Sequence, residues 1–347
     1  MLIYFQFIII FICFIGFCYL TKKYFLRGTY NWLSKDMTNK FVIITGASAG
    51  LGEYTAKELI NKGATVVYAC RSEERAKKSI KDLPEKIKDK IKDKAIFKKL
   101  DLCSINSIKS FAEDIKSNKR KIDILFNNAG AQPTEFIYTA DNMESFLEGN
   151  HLGPMLLTLL LIDHFAQESK IINVSSCAHY YSFLDENCSS YLSDIKEIKK
   201  HYFENPMDLF TLYSDCKMFN LYFAQYLSEL CKKEYPNIKS ASLHPGASST
   251  SFFRFLNNDK NAKKMYEIIG PIITKNTEWG AQTHLYLSYL PFNEMVSGAY
   301  YSECAVASIS KKAQDKKIRN ASMKWSLDAL HQYLNETDYR KFKSVLE

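Results

Sequence analysis

From Lys40 onward, short apolar runs alternate with longer stretches of helical periodicity, and that rhythm admits few folds. Phe41 to Thr45, Thr65 to Cys70, Ala95 to Leu100, Ile122 to Asn127, Ile171 to Ser175 and Ile238 to Leu243 have strand length and are largely apolar, as strands buried on both faces are. A seventh strand is expected near Gly298 to Ser302. Between them lie helical stretches: Glu53 to Asn61 ending before Gly63, Ser104 to Lys116 opening on a possible serine cap, and the long apolar Met143 to Phe165. Such alternation builds a parallel sheet covered by helices on both faces. Right-handed crossovers then gather loops and ligands at the carboxyl ends of the strands. Residues His179 to Leu209 break the rhythm and read as an excursion near those loops, while Lys316 to Leu334 reads as a helix.

Length and charge narrow the rest. A chain of 347 residues, 46% hydrophobic and 24% charged, suits one α/β domain over 38–334 with a C-terminal tail, 335–347. The net charge of +8 is spread among acidic residues, as in Lys86 to Lys94. Without interleaved aromatics or a recognition motif, it does not point to nucleic acid. Nine cysteines lack metal or disulfide spacing and favour a reducing compartment. Of four glycosylation triplets, at Asn173, Asn187, Asn320 and Asn335, the first falls inside a strand.

The front of the chain obeys another rule. Met1 to Leu20 carries Gln6 as its only strongly polar side chain, and a helix of that length just spans a hydrocarbon core of roughly 30 Å. A cleaved signal would need basic residues before the run and small ones at a cleavage site. Instead Lys22, Lys23 and Arg27 follow it, in a basic linker over 21–37. A retained single-pass anchor with the remainder in the cytosol is the expectation.

Five motifs then fall where a parallel sheet gathers its ligands. Thr45-Gly46-Ala47-Ser48-Ala49-Gly50-Leu51-Gly52 follows a strand and opens a helix, so backbone N–H groups and the positive helix end face any phosphate above. The other four are Asn127-Asn128-Ala129-Gly130, Asn150, Ser175-Ser176 and Tyr213-Ser214-Asp215-Cys216-Lys217. Tyr-x-x-x-Lys alone is weak, for it recurs at Tyr19/Lys23, Tyr235/Lys239 and Tyr339/Lys343. Where dinucleotide sites often carry an acid, the second strand ends Cys70-Arg71; a guanidinium there favours NADP(H) over NAD(H). On a helix, Tyr213 and Lys217 share a face. An ammonium about 4 Å from a phenol, at an effective dielectric of ~20, would lower a pKa near 10 by about three units.

Together these residues resemble the short-chain dehydrogenase/reductase family from about Thr38 to Leu330. The resemblance implies a single Rossmann-type doubly wound parallel sheet of about seven strands, preceded by the transmembrane helix, and a bound dinucleotide. It implies a catalytic set of Ser176, Tyr213 and Lys217, with Asn150 holding a relay water. Gly46, Ser48, Ala49, Gly50, Leu51, Gly52, Arg71, Asp101, Leu102, Asn128, Ala129, Gly130, Pro245, Gly246 and Thr250, with Tyr213 and Lys217, would meet the cofactor. Ala69-Cys70-Arg71, Asn150-His151-Leu152-Gly153 and Ser297 to Cys304 with Trp325 look most like the retinol dehydrogenase branch. Several members of that branch are anchored to the endoplasmic reticulum. Cys216 departs from the usual serine, and the gap from Ser176 to Tyr213 is longer than in that branch.

The expected activity is therefore interconversion of alcohol and carbonyl groups on a lipophilic small molecule, retinoid-, steroid- or polyprenoid-like. Tyr180, Tyr181, Phe183, Phe252, Phe253 and Phe255 are candidates to line its pocket, although aromatics at such spacings are more often core. A membrane-bound nucleotide sensor or scaffold without turnover is the alternative, and a secreted enzyme would require loss of the first segment. Helices around Met143 and Tyr213 could pair two copies, but a monomer is equally compatible.

Overall fold

The computed structural model describes residues 28–82, 93–131, 135–203, 208–247 and 274–346. The expected anchor Met1 to Leu20, most of the lysine-rich run, Thr250, Phe252, Phe253 and Phe255 lie outside the described residues. Eight strands form one sheet: β1 (Phe41–Thr45), β2 (Thr65–Cys70), β3 (Ala95–Lys99), β4 (Ile122–Asn127), β5 (Phe165–Val174), β6 (Ile238–His244), β7 (Tyr300–Ser302) and β8 (Ala305–Val306). Their order is β3-β2-β1-β4-β5-β6-β7-β8. All pairings are parallel except the last, β7 with β8. The eighth strand was not expected: it spans two residues, too few for periodicity, after a turn in which Glu303 and Cys304 adopt φ of 52 and 60.

Alternate residues of each strand feed opposite layers. Phe41 and Ile43 of β1 join the core under the helix Ile105–Ser117 and the long helices, whereas Val42 and Ile44 join the one under the first helix. The helices are α1 (Gly50–Asn61), α2 (Glu73–Lys81), α3 (Ile105–Ser117), α4 (Gly153–Leu161), α5 (Cys188–Leu192), α6 (Ile195–Phe203), α7 (Asp208–Glu234), α8 (Thr277–Gly280), α9 (Gln282–Tyr289), α10 (Lys316–Leu330) and α11 (Glu336–Lys343). Ser104 caps α3 by accepting from the Ser107 N–H at 3.3 Å. α11 lies in the expected tail, and its Phe342 is fully buried.

Of the expected helix Met143 to Phe165, Ser145–His164 is helical without a break but changes pitch, opening on a short α-turn at Ser145–Leu147. A π-helical turn over Glu148–Leu152 precedes α4, and a 3₁₀ turn at Ile162–His164 ends it. Glycines bring this stretch against the loop after β3: a Cβ at Gly153 would stand 2.2 Å from the Leu102 carbonyl oxygen. Ser145–His164 is long and apolar enough to cross a membrane, yet it is 83% buried inside the domain, as a core helix is.

An N-terminal strap enters from an unexpected side. Gly28 and Thr29 sit at the turn after β7, where the Thr29 N–H donates to Glu303 Oε2 at 2.7 Å. Tyr30 packs edge-on against Trp279, and the Asn31 N–H donates to Gln282 Oε1 at 3.1 Å. Met37 is buried at the foot of β1, its N–H donating to the Lys62 carbonyl. The strap thus runs from the carboxyl edge of the sheet to its amino edge before β1 begins.

Candidate functional site

The strand order reverses between β1 and β4, which opens a crevice above their carboxyl ends. Two glycine conformations shape its floor, with φ of 71 at Gly46 and 61 at Gly50, a region costly for residues with a Cβ. No side chain caps α1, whose N-cap is Ala49, so the N–H groups of its first turn point into the crevice. Ser48 hydrogen-bonds the buried thiol of Cys70. Thr45 ties turn and central strand together: its hydroxyl donates to the Phe126 carbonyl and accepts from the Asn128 and Ala129 N–H groups at 3.0 and 2.9 Å. Asn128 Nδ2 donates back to the Thr45 carbonyl at 2.8 Å. Gly52 lies so close that a Cβ there would stand 2.5 Å from Asn128 Nδ2.

Arg71 follows β2 and is exposed. Asp101 and Leu102 form the turn after β3, where Asp101 Oδ1 accepts from the Cys103 N–H at 3.0 Å. Pro245 and Gly246 follow β6, and Gly246 has a φ of 79. Thr250 lies outside the described residues, so its expected place beside them is not part of the described site.

β5 and α7 bring the polar side chains together. The Ser175 hydroxyl donates to the Lys217 carbonyl at 2.6 Å, and Lys217 Nζ donates to the Val174 carbonyl at 3.1 Å. Ser176 hydrogen-bonds the hydroxyl of Tyr213, and Lys217 Nζ stands 5.5 Å from the centre of that ring. On the π-helical turn, Asn150 Nδ2 donates to the Phe146 carbonyl at 2.9 Å, while its Oδ1 accepts from the Ala131 N–H at 2.9 Å. A Cβ on Gly130 would stand 3.3 Å from Asn150 Oδ1 and 3.5 Å from Lys217 Nζ. Tyr213, Lys217, Ser176, Asn150 and Gly130 therefore cluster on one wall of the crevice. Of the other Tyr-x-x-x-Lys pairs, Tyr339 and Lys343 also meet, at 2.9 Å, but on α11 at the C-terminus.

The electrostatics depart from expectation. Burial pushes the Tyr213 phenol up, with the Ser176 hydrogen bond acting against it. Burial likewise pulls the Lys217 ammonium down to about 8. Desolvation is the largest cause of both shifts, and the downward shift expected for Tyr213 is not found. Tyr180, Tyr181 and Phe183 depart as well: they are 49%, 62% and 65% exposed, on the rim above the site.

Sequence reasoning missed the groups that hold this wall in place. Asp215 is fully buried between Tyr213 and Lys217 in sequence. Its Oδ1 accepts from the Ser182 hydroxyl and the Phe183 N–H, both at 2.7 Å, and its Oδ2 from the Tyr202 hydroxyl at 2.6 Å. The excursion after Ser176, including α6, is thereby fastened to α7. His179 accepts at Nε2 from the Ser310 N–H, so its Nδ1 carries the proton donated to the Ser176 carbonyl at 2.8 Å. Lys275 pairs with Glu303 beside Gly246. The only sequence signal for Asp215 was an acid inside the tyrosine–lysine motif, and for His179 and Lys275 there was none.

Comparison with known proteins agrees with this architecture. The sequence profile described as short chain dehydrogenase matches residues 40–188. Retinol dehydrogenase 14 of Mus musculus is 31% identical over 292 residues, spanning 81% of this chain and 83% of that protein. Among solved structures, an uncharacterised protein from Mycobacterium paratuberculosis superposes with a TM-score of 0.65 at 23% identity, over 86% of this chain and 96% of that one. A short chain dehydrogenase from Burkholderia cenocepacia in complex with NADP gives 0.56 at 18% identity, over 81% and 100%. With its switch-point crevice and this degree of identity along most of its length, the chain belongs to the short-chain dehydrogenase/reductase family, in the retinol dehydrogenase branch.

Proposed function

We propose that this oxidoreductase is tethered to a membrane, uses NADP(H), and interconverts an alcohol and a carbonyl on a lipophilic substrate, with Tyr213 exchanging the proton. The carrying observation is the wall shared by Ser176, Tyr213, Lys217 and Asn150 next to a bare glycine at position 130. That glycine, the uncapped start of α1 and the close approach of Gly52 to Asn128 fit a dinucleotide lying across the crevice. Gly46 and Ser48 to Gly52 would face its phosphates, Asp101 and Leu102 its adenine, and Asn128 to Gly130 with Pro245 and Gly246 its nicotinamide half. When bound, the nicotinamide supplies or takes the hydride.

Cys70, neutral and buried, stands where dinucleotide sites often carry a carboxylate, which leaves the exposed Arg71 to meet a 2′-phosphate. The NADP named in the Burkholderia cenocepacia structure accords with that reading. A phenol raised by burial stays protonated at neutral pH, as a proton donor to a carbonyl under reduction must be. Ser176 would donate to the same oxygen as negative charge gathers on it. Lys217 would hold the nicotinamide ribose, and Asn150 would fix the geometry of the proton path.

The lipophilic substrate is supported by the retinol dehydrogenase relatives, and the tether by the apolar run Met1 to Leu20 followed by Lys22, Lys23 and Arg27. A cytosol-facing domain on the endoplasmic reticulum is the proposed setting. The test is NADPH oxidation by wild type and Tyr213→Phe on retinal, steroid and polyprenyl carbonyls. Wild type should turn over at least one, and the variant should lose about 10²–10⁴-fold in rate while still binding nucleotide. Equal activity of the two proteins, or none in either on any substrate, would overturn the reading.

A further inference from the structure

An aromatic rim lies on loops at the carboxyl edge of the sheet, the edge on which the site opens. Tyr138, in the loop after β4, is 52% exposed; Tyr181 and Phe183, after β5, are 62% and 65% exposed; Phe210, at the start of α7, is 42% exposed. Their ring contacts fall into two groups on these loops. The Tyr181 and Phe210 rings lie 5.7 Å apart, and Tyr138 packs edge-on against Phe136, which in turn packs against Phe203 at the end of α6. Ammonium groups flank it, Lys199 at 5.7 Å from the Phe136 ring and Lys312 at 6.0 Å from the Phe183 ring. Aromatic rings flanked by lysines suit the boundary between lipid headgroups and acyl chains.

The strap indicates what covers this rim. β1 begins at the amino edge of the sheet, so a direct linker would leave the first residues on the side away from the site. Instead Gly28 is held at the turn after β7, against Glu303 and Lys275, at the edge where Gly246, Ser176 and the rim lie. Eight virtual bonds separate Leu20 from Gly28 and reach at most roughly 28 Å. A bilayer gripping Met1 to Leu20 therefore lies within that reach of the carboxyl edge.

We propose that Tyr138, Tyr181, Phe183 and Phe210 form a docking surface that rests in the interfacial layer of the bilayer, so that a lipophilic substrate reaches Tyr213 from the membrane rather than from water. This rests on the membrane-tethered reading above, and it fixes an orientation which that reading leaves open.

The test uses the full chain in phosphatidylcholine–phosphatidylserine vesicles containing a phospholipid with a diazirine near the glycerol. After illumination, peptides carrying Tyr138, residues 181–183 and Phe210 should be labelled along with residues 1–27. Label confined to 1–27, or found on loops at the amino edge such as those around Lys62 and Asn293, overturns the proposal. Absence of label from the rim because a second copy covers it overturns it equally. In a second arm, the full-length Tyr138→Ser/Phe183→Ser/Phe210→Ser variant should keep its kcat and its KM for a water-soluble short-chain aldehyde. Its KM for a C20 polyene aldehyde dissolved in the vesicles should rise about tenfold; an unchanged KM for the vesicle-borne aldehyde counts against the docking surface. Should wild type turn over neither aldehyde, the enzyme reading falls, and the label map still decides the docking face.

Discussion

The two sides of the site are held by different forces. Around β1 and β4 the chain relies on close backbone approach: Gly46, Gly50 and Gly52 in the turn, and the hydroxyl and carbonyl of Thr45 bonded to Asn128 and Ala129. No charged side chain takes part in those contacts. Around β5, β6 and α7 the scaffold consists largely of buried ionisable groups: Asp215 with three donors, Lys217 on a carbonyl, neutral His179, and Lys275 paired with the half-exposed Glu303. The first side is fixed by shape and is sensitive to added atoms. The second is fixed by polar satisfaction and is sensitive to atoms removed, because each orphaned buried donor bears its full desolvation cost.

The largest effect should come from emptying the second side. Asp215→Ala strands the Ser182 and Tyr202 hydroxyls and the Phe183 N–H in a dry interior, with an expected loss of about 3–5 kcal/mol in stability. Urea denaturation measures it, and nucleotide affinity at a urea concentration where the variant is folded should be close to wild type. A loss below 1 kcal/mol would erase the contrast drawn above. Next comes an added methyl on the first side. Gly52→Ala places a Cβ against Asn128 Nδ2 and the Gly46 carbonyl oxygen, which should cost about 1–3 kcal/mol and weaken nucleotide binding by calorimetry. Normal nucleotide affinity in a stable Gly52→Ala protein would show that the close approach carries no function.

That difference also explains what the sequence disclosed. Strand–turn–helix alternation and the glycine spacing are local patterns, so β1 to β7 and the turn over Gly46 to Gly52 could be read directly. The π-helical turn at Asn150 could not, because it depends on how Gly149 and Gly153 meet the loop after β3. The same holds for Asp215, whose partners lie on an excursion with no periodicity of its own. The direction of the Tyr213 shift was misread for a related reason: spacing puts an ammonium near a phenol, but only the packed structure reveals that both are dehydrated. Tyr339 and Lys343 complete the lesson, since they satisfy the same spacing and also set the ammonium near the ring, at 5.1 Å, on the C-terminal helix α11.

Cofactor choice sharpens the comparison at a site where the first side would need a charge. Arg71 is exposed beyond the buried Cys70, and hydrogen bonds to a charged group contribute about 1.5–3 kcal/mol. Arg71→Ala should therefore raise the KM for NADPH roughly 10–100-fold and leave that for NADH unchanged. Parallel changes for both coenzymes would remove Arg71 from phosphate recognition.

The smallest effect is a pH dependence peculiar to the second side. Burial places Lys217 at about 8, so kcat/KM should fall above that pH, by roughly tenfold per unit, if the ammonium is the working form. Lys217→Arg stays charged, and its profile should lack that limb whatever its absolute rate. Stability must move in the opposite sense. A pKa lower in the folded than in the unfolded chain means that the unfolded state binds more protons between about 8 and the ordinary value of 10.5, so stability rises with pH through that window. Lys217→Met removes the buried charge, and its gain over wild type should be greatest at pH 7 and shrink as the pH approaches 10. Denaturant midpoints of both proteins at pH 7 and 9.5 measure that difference; a gain independent of pH would mean that Lys217 is not desolvated, and the contrast between the two sides would lose its electrostatic half.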